Sequence, residues 1–464
     1  MLRMDLLRIT YWGLLAVVLV CITGWFAIIP DGSQARIAAA ALELLKTGKA
    51  SDTSGASEPI LRFLAFSMQL FGQNHIALRI PGIFAILLSL YFTYRFAKVC
   101  YSFEVALLTV IVMSTTQATF LLNAGITSVH YLAVFYTFAL WQIGVYLRDK
   151  KQLNLVLAMA SALPLALLKN SPSEADPRYL DPLLTIIPMF IPWTIFLALG
   201  LWNIIKSLVS RQTNGIIKQD LITLLAFVLP FVLSYFSPSR SIFDVFLAYP
   251  AGALIASSFL YQVLYAQPGS TSKTLVYMHI AAGYAGLALL FCLVWFPFPE
   301  NNYYGLIHFM ALLSVLTWLI FFSEIRNKLV IGCVAFAIGS NVILTTYFYP
   351  NVSKYEAGAK LGMIVRANGT VPGKLLSYQA GNPGTLRFYA GAPVEETNDF
   401  GKLIATKGCW VYTHQSLLNE FRAMRPDLRI AGTVSEFQGS FWDIRFLDAE
   451  SRKKLLTQKV LLRL

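Results

Sequence analysis

The sequence predicts an α-helical polytopic membrane protein of about eleven spans, with interfacial helices in its first outer loop and a small soluble α/β domain at its C-terminal end. Three observations predict it. The mean hydropathy is +0.60. Hydrophobic residues make up 56% of the chain and charged residues only 13%, where soluble chains carry roughly a quarter charged. Apolar runs long enough to cross a bilayer recur up to Tyr349, and beyond Asn351 the composition turns polar.

The runs lie at 10–30, 78–98, 103–122, 128–147, 152–169, 183–205, 219–236, 243–265, 275–296, 304–323 and 329–349, most of them close to the roughly 20 residues that hydrocarbon requires. The first run reads as a retained span. It is long, and no small-residue cleavage site follows Pro30. Aromatics reach 14%, with 33 Phe and 22 Tyr, which suits lipid contact and interfacial belts.

The net charge of +13 is explained by membrane topology rather than by nucleic acid. Lys and Arg collect on the cytoplasmic side of polytopic chains. One set of loops carries thirteen cations: Arg3, Arg8, Arg95, Lys98, Arg148, Lys150, Lys151, Lys206, Arg211, Lys218, Lys273, Arg326 and Lys328. The alternate segments carry seven: Lys46, Lys49, Arg62, Arg79, Lys169, Arg178 and Arg240. The N-terminus is therefore expected in the cytoplasm of a cell with an inner (plasma) membrane. With an odd number of spans, the loop at Asp31 and residues 350–464 are expected outside. Residues 1–349 form the predicted transmembrane domain and 350–464 the extracytoplasmic one.

Between the first two spans the chain takes an unusual course. Ile37, Ala41, Leu44 and Leu45 recur at helical spacing, Gln34, Arg36, Glu43 and Lys46 face elsewhere, and Gly48 is a natural stop. At about 15 residues this helix is too short to span, so it is expected in the interface. Residues 59–71 read in the same way. In the tail, 353–367 and 416–424 read as helices, while Leu375–Gln379, Leu386–Ala390, Trp410–Thr413 and Phe441–Phe446 read as strands. That alternation suggests a small α/β unit. Of five cysteines, only Cys409 lies on the exterior side, and no CxxC occurs. No disulfide framework, metal centre or cofactor is implied.

Several stretches, in order, match a known pattern. Asp31 follows the first span; a surface helix, Ser57-Glu58-Pro59, Leu70-Phe71-Gly72 and Ala77-Leu78-Arg79-Ile80-Pro81 follow it. Farther on come AGITSVHYL from Ala124 to Leu132, IPWTIF from Ile191 to Phe196, and FSPSRS from Phe236 to Ser241, with Tyr249-Pro250 beyond. The series resembles the polytopic glycosyltransferases of the C-type fold, especially the aminoarabinose-transferase and protein-mannosyltransferase-like group. The resemblance covers most of the chain. It implies transfer of a sugar from a polyprenyl-phosphate carrier to a lipid, glycan or protein acceptor, by inversion, on the outer face of the membrane. It makes Asp31 the catalytic position, as general base or acceptor-orienting group.

The departures from that pattern are specific. Asp31 is followed by Gly32, where relatives often have Glu. Ser57-Glu58-Pro59-Ile60 lacks the Lys that helps hold the lipid phosphate, and Arg62, one turn on, is a possible substitute. His130 stands at the second acidic position, Gly125 replaces an Arg, and Ile242 replaces a Lys that often follows the Ser-Arg-Ser segment.

Sugar transfer from a phosphate needs cations or dipoles around the leaving group and a base where the acceptor is a hydroxyl. Each candidate also has a plainer reading. Asp31 is a general base or a helix N-cap. Glu58 is a site carboxylate or a solvated interfacial charge. Arg62 binds phosphate or snorkels to headgroups, and Arg79 is a ligand or an interface anchor. Arg240, among serines in a short outer loop, contacts phosphate. His130 orients an acceptor or phosphate, or is a hydrogen-bonded structural residue. Glu174, Asp176, Asp181 and Asp244 are further carboxylates that could complete the site. Two functions stay open: a lipid-phosphate-sugar-dependent transferase, or a non-catalytic degenerate relative acting as a carrier or assembly partner for lipid-linked sugars.

Overall fold

The computed structural model describes residues 2–24, 33–49, 56–126, 129–167, 182–209, 217–235, 242–266, 270–322, 327–369, 375–381, 383–406, 408–437 and 443–464. In chain order the helices are α1 (Leu2–Gly24), α2 (Ser33–Thr47), α3 (Glu58–Phe71), α4 (His75–Cys100), α5 (Phe103–Ser114), α6 (Gln117–Ala124), α7 (Val129–Asp149), α8 (Gln152–Leu167), α9 (Pro182–Met189), α10 (Thr194–Val209), α11 (Ile217–Tyr235), α12 (Tyr249–Tyr261), α13 (Ser270–Trp295), α14 (Asn302–Thr317) and α15 (Lys328–Ile343). After the short α16 (Tyr349–Val352) and α17 (Ala357–Asn368) come β1 (Leu375–Tyr378), α18 (Gly384–Ala390), β2 (Glu395–Thr397), α19 (Phe400–Ala405), β3 (Trp410–His414), α20 (Leu418–Met424), β4 (Arg429–Glu436), α21 (Ile444–Leu447), α22 (Ala449–Leu455) and β5 (Thr457–Arg463).

The described part of each apolar run read from the sequence lies mostly on helix. Among the described residues, six helices are long and apolar enough to cross a membrane, or seven if α5 and α6, bent by 52° at their junction, make one broken span. The remaining runs fall on α7, α8, the α9–α10 pair and α11. These are shorter or more polar, and the 183–205 run is interrupted at Phe190–Trp193, where Pro192 cannot supply a helical N–H.

The chain forms two compact units. The first comprises Met1–Gly24, Arg79–Leu290 and Ile307–Ile343. Its centre is α12, whose small residues Ala251, Gly252, Ala253 and Ala256 let neighbours approach closely. A Cβ on Gly252 would lie 3.0 Å from the rings of Phe190 and Phe227, and one on Gly200 of α10 would lie 2.9 Å from the Ile255 carbonyl. Trp193, fully buried, donates its indole N–H to Thr115 Oγ1 at 2.9 Å. Gln117 and Asn341 exchange amide hydrogen bonds of 3.0 and 3.3 Å. These partners satisfy polar groups that an apolar surrounding would otherwise leave costly.

The second unit comprises Trp25–Leu78, Phe291–Leu306 and Leu344–Leu464. Here α2 departs from the interfacial expectation. Ala35, Ile37 through Leu42 and Leu44 are all buried, because the helix packs on α3 and α18. Lys46 at its C-terminal end donates to the Gly391 carbonyl. By contrast α3 is apolar on two faces: Ile60, Leu61, Leu64 and Met68 are buried, while Phe63, Phe66, Leu70 and Phe71 are exposed. Its outer face is the kind of surface a bilayer interface covers.

The tail carries a five-stranded mixed sheet in the order β2-β1-β3-β5-β4. β1 pairs in parallel with β2 and β3, and β5 lies antiparallel to β3 and β4. Leu386–Ala390 is helical rather than extended: Pro383 and Gly384 start the turn, and Gly391, at φ 66°, ends it in the left-handed region. Of 441–446, the described part is also helical, with the Asp443 carboxylate accepting from the Arg445 N–H at 2.9 Å. The strands the pattern misses are β2, β4 and β5. β4 carries a bulge between Ile430 and Gly432.

Candidate functional site

Within the first unit, four helix ends meet around polar side chains. Arg79, near the start of α4, is only 3% exposed, and its guanidinium reaches the Gly24 carbonyl at the end of α1 (3.4 Å). One turn on, Gly82 faces His130. A Cβ there would stand 3.3 Å from the imidazole Nε2, so the glycine makes room for the ring. His130, at the start of α7 and 2% exposed, donates from Nε2 to the Leu122 carbonyl at 2.7 Å. That carbonyl, in the last turn of α6, also accepts from the Gly125 backbone N–H at 3.0 Å. Next to it, Asn123 donates from Nδ2 to Cys21 Sγ at 3.0 Å.

These contacts form one chain of neighbours: Gly24, Arg79, Gly82, His130, Leu122, Asn123 and Cys21. The cation, the imidazole and the amide are thus collected where α1, α4, α6 and α7 end. A buried guanidinium presents a fork of N–H donors suited to phosphate or carboxylate oxygens.

Glu58 and Arg62 lie in the second unit and pair with each other. Arg62 Nη2 and Nε donate to Glu58 Oε1 at 2.7 and 2.9 Å, with the side chains 69% and 54% exposed. The sequence singles out each residue separately; the structure makes them an i,i+4 ion pair on α3. Asp31 and Arg240 lie outside the described residues, as do Glu174, Asp176 and Asp181.

Two polar groups were not singled out from the sequence. Asn123 is 4% exposed, and its Oδ1 has no donor among the described residues. Arg36 of α2, in the second unit, has a buried Nε with no acceptor among them. An unpartnered buried polar atom in a native fold calls for a ligand, water or ion. The only sequence signals were position: Asn123 immediately precedes the AGITSVH segment, and Arg36 follows Asp31 by little more than a turn.

In the tail, Lys459 is fully buried on β5. Its Nζ donates to the Ala380 carbonyl (2.6 Å) and His414 Nε2 (2.9 Å) and lies 3.4 Å from Glu436 Oε2. Tyr412 donates to the other oxygen of Glu436 at 3.2 Å. Burial first, and then the Lys459 charge, depress the pKa of His414, while Glu436 and a hydrogen bond with the Gln379 backbone oppose the shift. The group ties β1, β3, β4 and β5 together through satisfied polar contacts, which a buried charge requires.

Comparison with known proteins places this architecture. Residues 60–170 match the family described as dolichyl-phosphate-mannose-protein mannosyltransferase. The chain is similar over nearly its full length to ArnT from Cupriavidus metallidurans. In its apo state that structure gives a TM-score of 0.69 at 14% identity, covering 98% of both chains. Bound to undecaprenyl phosphate it gives 0.65 at 15% identity, covering 97% of this chain and 98% of that one. No curated protein sequence matches significantly. The protein is thus a multi-pass membrane protein built on the C-type glycosyltransferase fold, the fold its ordered motifs resemble.

Proposed function

We propose that the protein is a membrane glycosyltransferase that moves a sugar from a polyprenyl-phosphate donor to a lipid, glycan or protein acceptor on the outer face of the membrane. The observation that carries the proposal is the near-complete overlay on a transferase fold known with undecaprenyl phosphate bound, together with a buried Arg79 among converging helix ends. In this reading the chain has about eleven spans. Its N-terminus is cytoplasmic, and residues 350–464 form an extracytoplasmic domain.

The reaction is a single inverting displacement. The acceptor oxygen attacks the anomeric carbon, the carbon–phosphate-oxygen bond breaks, and the electron pair leaves on the carrier phosphate. The acceptor proton passes to Asp31. Arg79, with Arg62 and Arg240 as further cations, neutralises charge that grows on the departing phosphate; such preorganised donors are the largest catalytic contribution in sites of this kind. Glu58 and His130 orient substrate groups. Buried Asn123, beside the Leu122 partner of His130, offers an Oδ1 with no donor among the described residues as an acceptor for a sugar or acceptor hydroxyl.

The test is to present purified protein with a panel of polyprenyl-phosphate sugars and follow sugar loss from the carrier. Asp31→Asn is expected to abolish transfer with expression unchanged. Full activity in that variant removes Asp31 from the mechanism. The Glu58–Arg62 pair favours the second reading in one respect, because a neighbouring carboxylate already occupies that cation. If the protein retains a lipid-linked sugar without consuming it across the panel, the carrier reading replaces the enzymatic one.

A further inference from the structure

A cavity of about 670 Å³ opens in the first unit between α4, α7 and the start of α8. This is within the range of small-molecule sites. It lies at the opposite end of α4 from Arg79, and nothing in the proposed reaction uses it. Three cations line it: Arg95, Lys98 and Arg148. No Asp or Glu is among its lining residues.

The cations are held rather than loose. The Arg95 guanidinium stacks 4.6 Å from the Trp141 ring centroid and donates to the Tyr91 hydroxyl at 2.8 Å. That leaves most of its five N–H donors without a partner among the described residues. Trp141 is itself packed against Phe92 at 5.6 Å, and its indole N–H has no acceptor among the described residues. Lys98 Nζ sits 5.9 Å from the Tyr94 ring. Arg148 alone has a carboxylate partner, Asp149 at 2.7 Å.

The cavity rim continues into lipid-compatible surface. Tyr91, Leu153, Val156 and Leu157 are exposed large apolar side chains on the same helices. A concentration of positive charge beside an orphan N–H, flanked by exposed hydrocarbon, matches a ligand with an anionic head and apolar tails. A soluble anion would make no use of the apolar flank.

We infer that this cavity binds the phosphate headgroup of an anionic phospholipid, with the acyl chains lying along the exposed faces of α4 and α8. Basic pockets at the ends of spanning helices recognise such headgroups. The leaflet is the cytoplasmic one if the orientation proposed above holds; the binding does not depend on the transferase reading.

The experiment is native mass spectrometry of the full chain released from detergent carrying cardiolipin, phosphatidylglycerol or phosphatidylcholine. Wild-type protein is expected to retain the anionic lipids over phosphatidylcholine. Arg95→Gln/Lys98→Gln should lower that retention roughly tenfold. Arg148→Gln, at an exposed side chain that the fold does not need, should lower it less. Lys150→Gln/Lys151→Gln removes two nearby cations that do not line the cavity and should leave retention unchanged. No anionic preference in the wild type, or an equal loss in the Lys150/Lys151 variant, overturns the inference. So does full displacement of the lipid by millimolar glycerol phosphate or inorganic phosphate, which would mark a soluble phosphate ligand instead. Transfer assays on the same variants separate this site from the catalytic one, because loss of the lipid does not require loss of Asp31 chemistry.

Discussion

His130 Nε2 donates to the Leu122 carbonyl at 2.7 Å, so an imidazole closes the corner between α6 and α7. A carbonyl offers only an acceptor. An ionised carboxylate in that place would set acceptor against acceptor in a buried setting. His130→Asp is therefore expected to destabilise the protein by about 1–3 kcal/mol, although an acid is what the resembled motif order carries there. His130→Gln retains an N–H and should cost less. Thermal stability of the two variants in one detergent checks the order; an Asp variant as stable as wild type removes the structural role.

Arg79 is the cation most removed from water among the described candidates. A charge-assisted hydrogen bond to a leaving phosphate is worth about 1.5–3 kcal/mol, or roughly 10- to 150-fold in rate. Arg79→Gln is expected to lower kcat/KM for the lipid-phosphate donor by that factor, and Arg79→Lys by less, because a point charge replaces a fork. Steady-state kinetics with varied donor give the comparison. Wild-type kinetics in Arg79→Gln leave only the anchor role.

The Glu58–Arg62 pair makes the opposite prediction for stability. Both side chains are more than half exposed, and such i,i+4 pairs contribute only about 0.3–0.5 kcal/mol. Glu58→Gln should barely move the melting temperature. If Arg62 holds phosphate, the same change releases its guanidinium and lowers KM for the donor. A raised KM in Glu58→Gln means that the carboxylate itself touches substrate.

The multi-pass membrane character was readable because hydrocarbon selects long apolar runs, and the described part of each run lies mostly on helix. The runs' internal breaks were not: the chain stays apolar through Phe190–Trp193, where Pro192 interrupts it. Motif order singled out Arg79 and His130 as candidates, and in the structure Gly82, one turn from Arg79, makes room for the His130 ring. Asn123, and Arg36 in the other unit, were not singled out, since what distinguishes each is a buried atom with no partner among the described residues, which only packing reveals. The amphipathic pattern of α2 could not say whether lipid or α18 covers its apolar face. In the tail, β5 was missed because it begins Thr457-Gln458-Lys459 and then runs Val460-Leu461-Leu462, without alternation. Its buried lysine is tolerable only through partners from three other strands or their ends.

Those partners make a pH prediction. His414 accepts from Lys459 and, protonated, would turn a donor toward an ammonium. Burial and the Lys459 charge hold its pKa below the ordinary value in the folded state. The unfolded chain takes up that proton near pH 6.5, the folded one only further down. The group's contribution to stability is thus fully present above about pH 6.5 and is lost as the pH falls from there toward the depressed folded value. Hydrogen exchange of peptides covering β1 and β3, corrected for intrinsic rate, should show protection falling as the pH drops below about 6.5. His414→Gln keeps an acceptor for Lys459 and does not titrate, so its profile should be flatter. An unchanged slope in that variant would assign the pH dependence to another group.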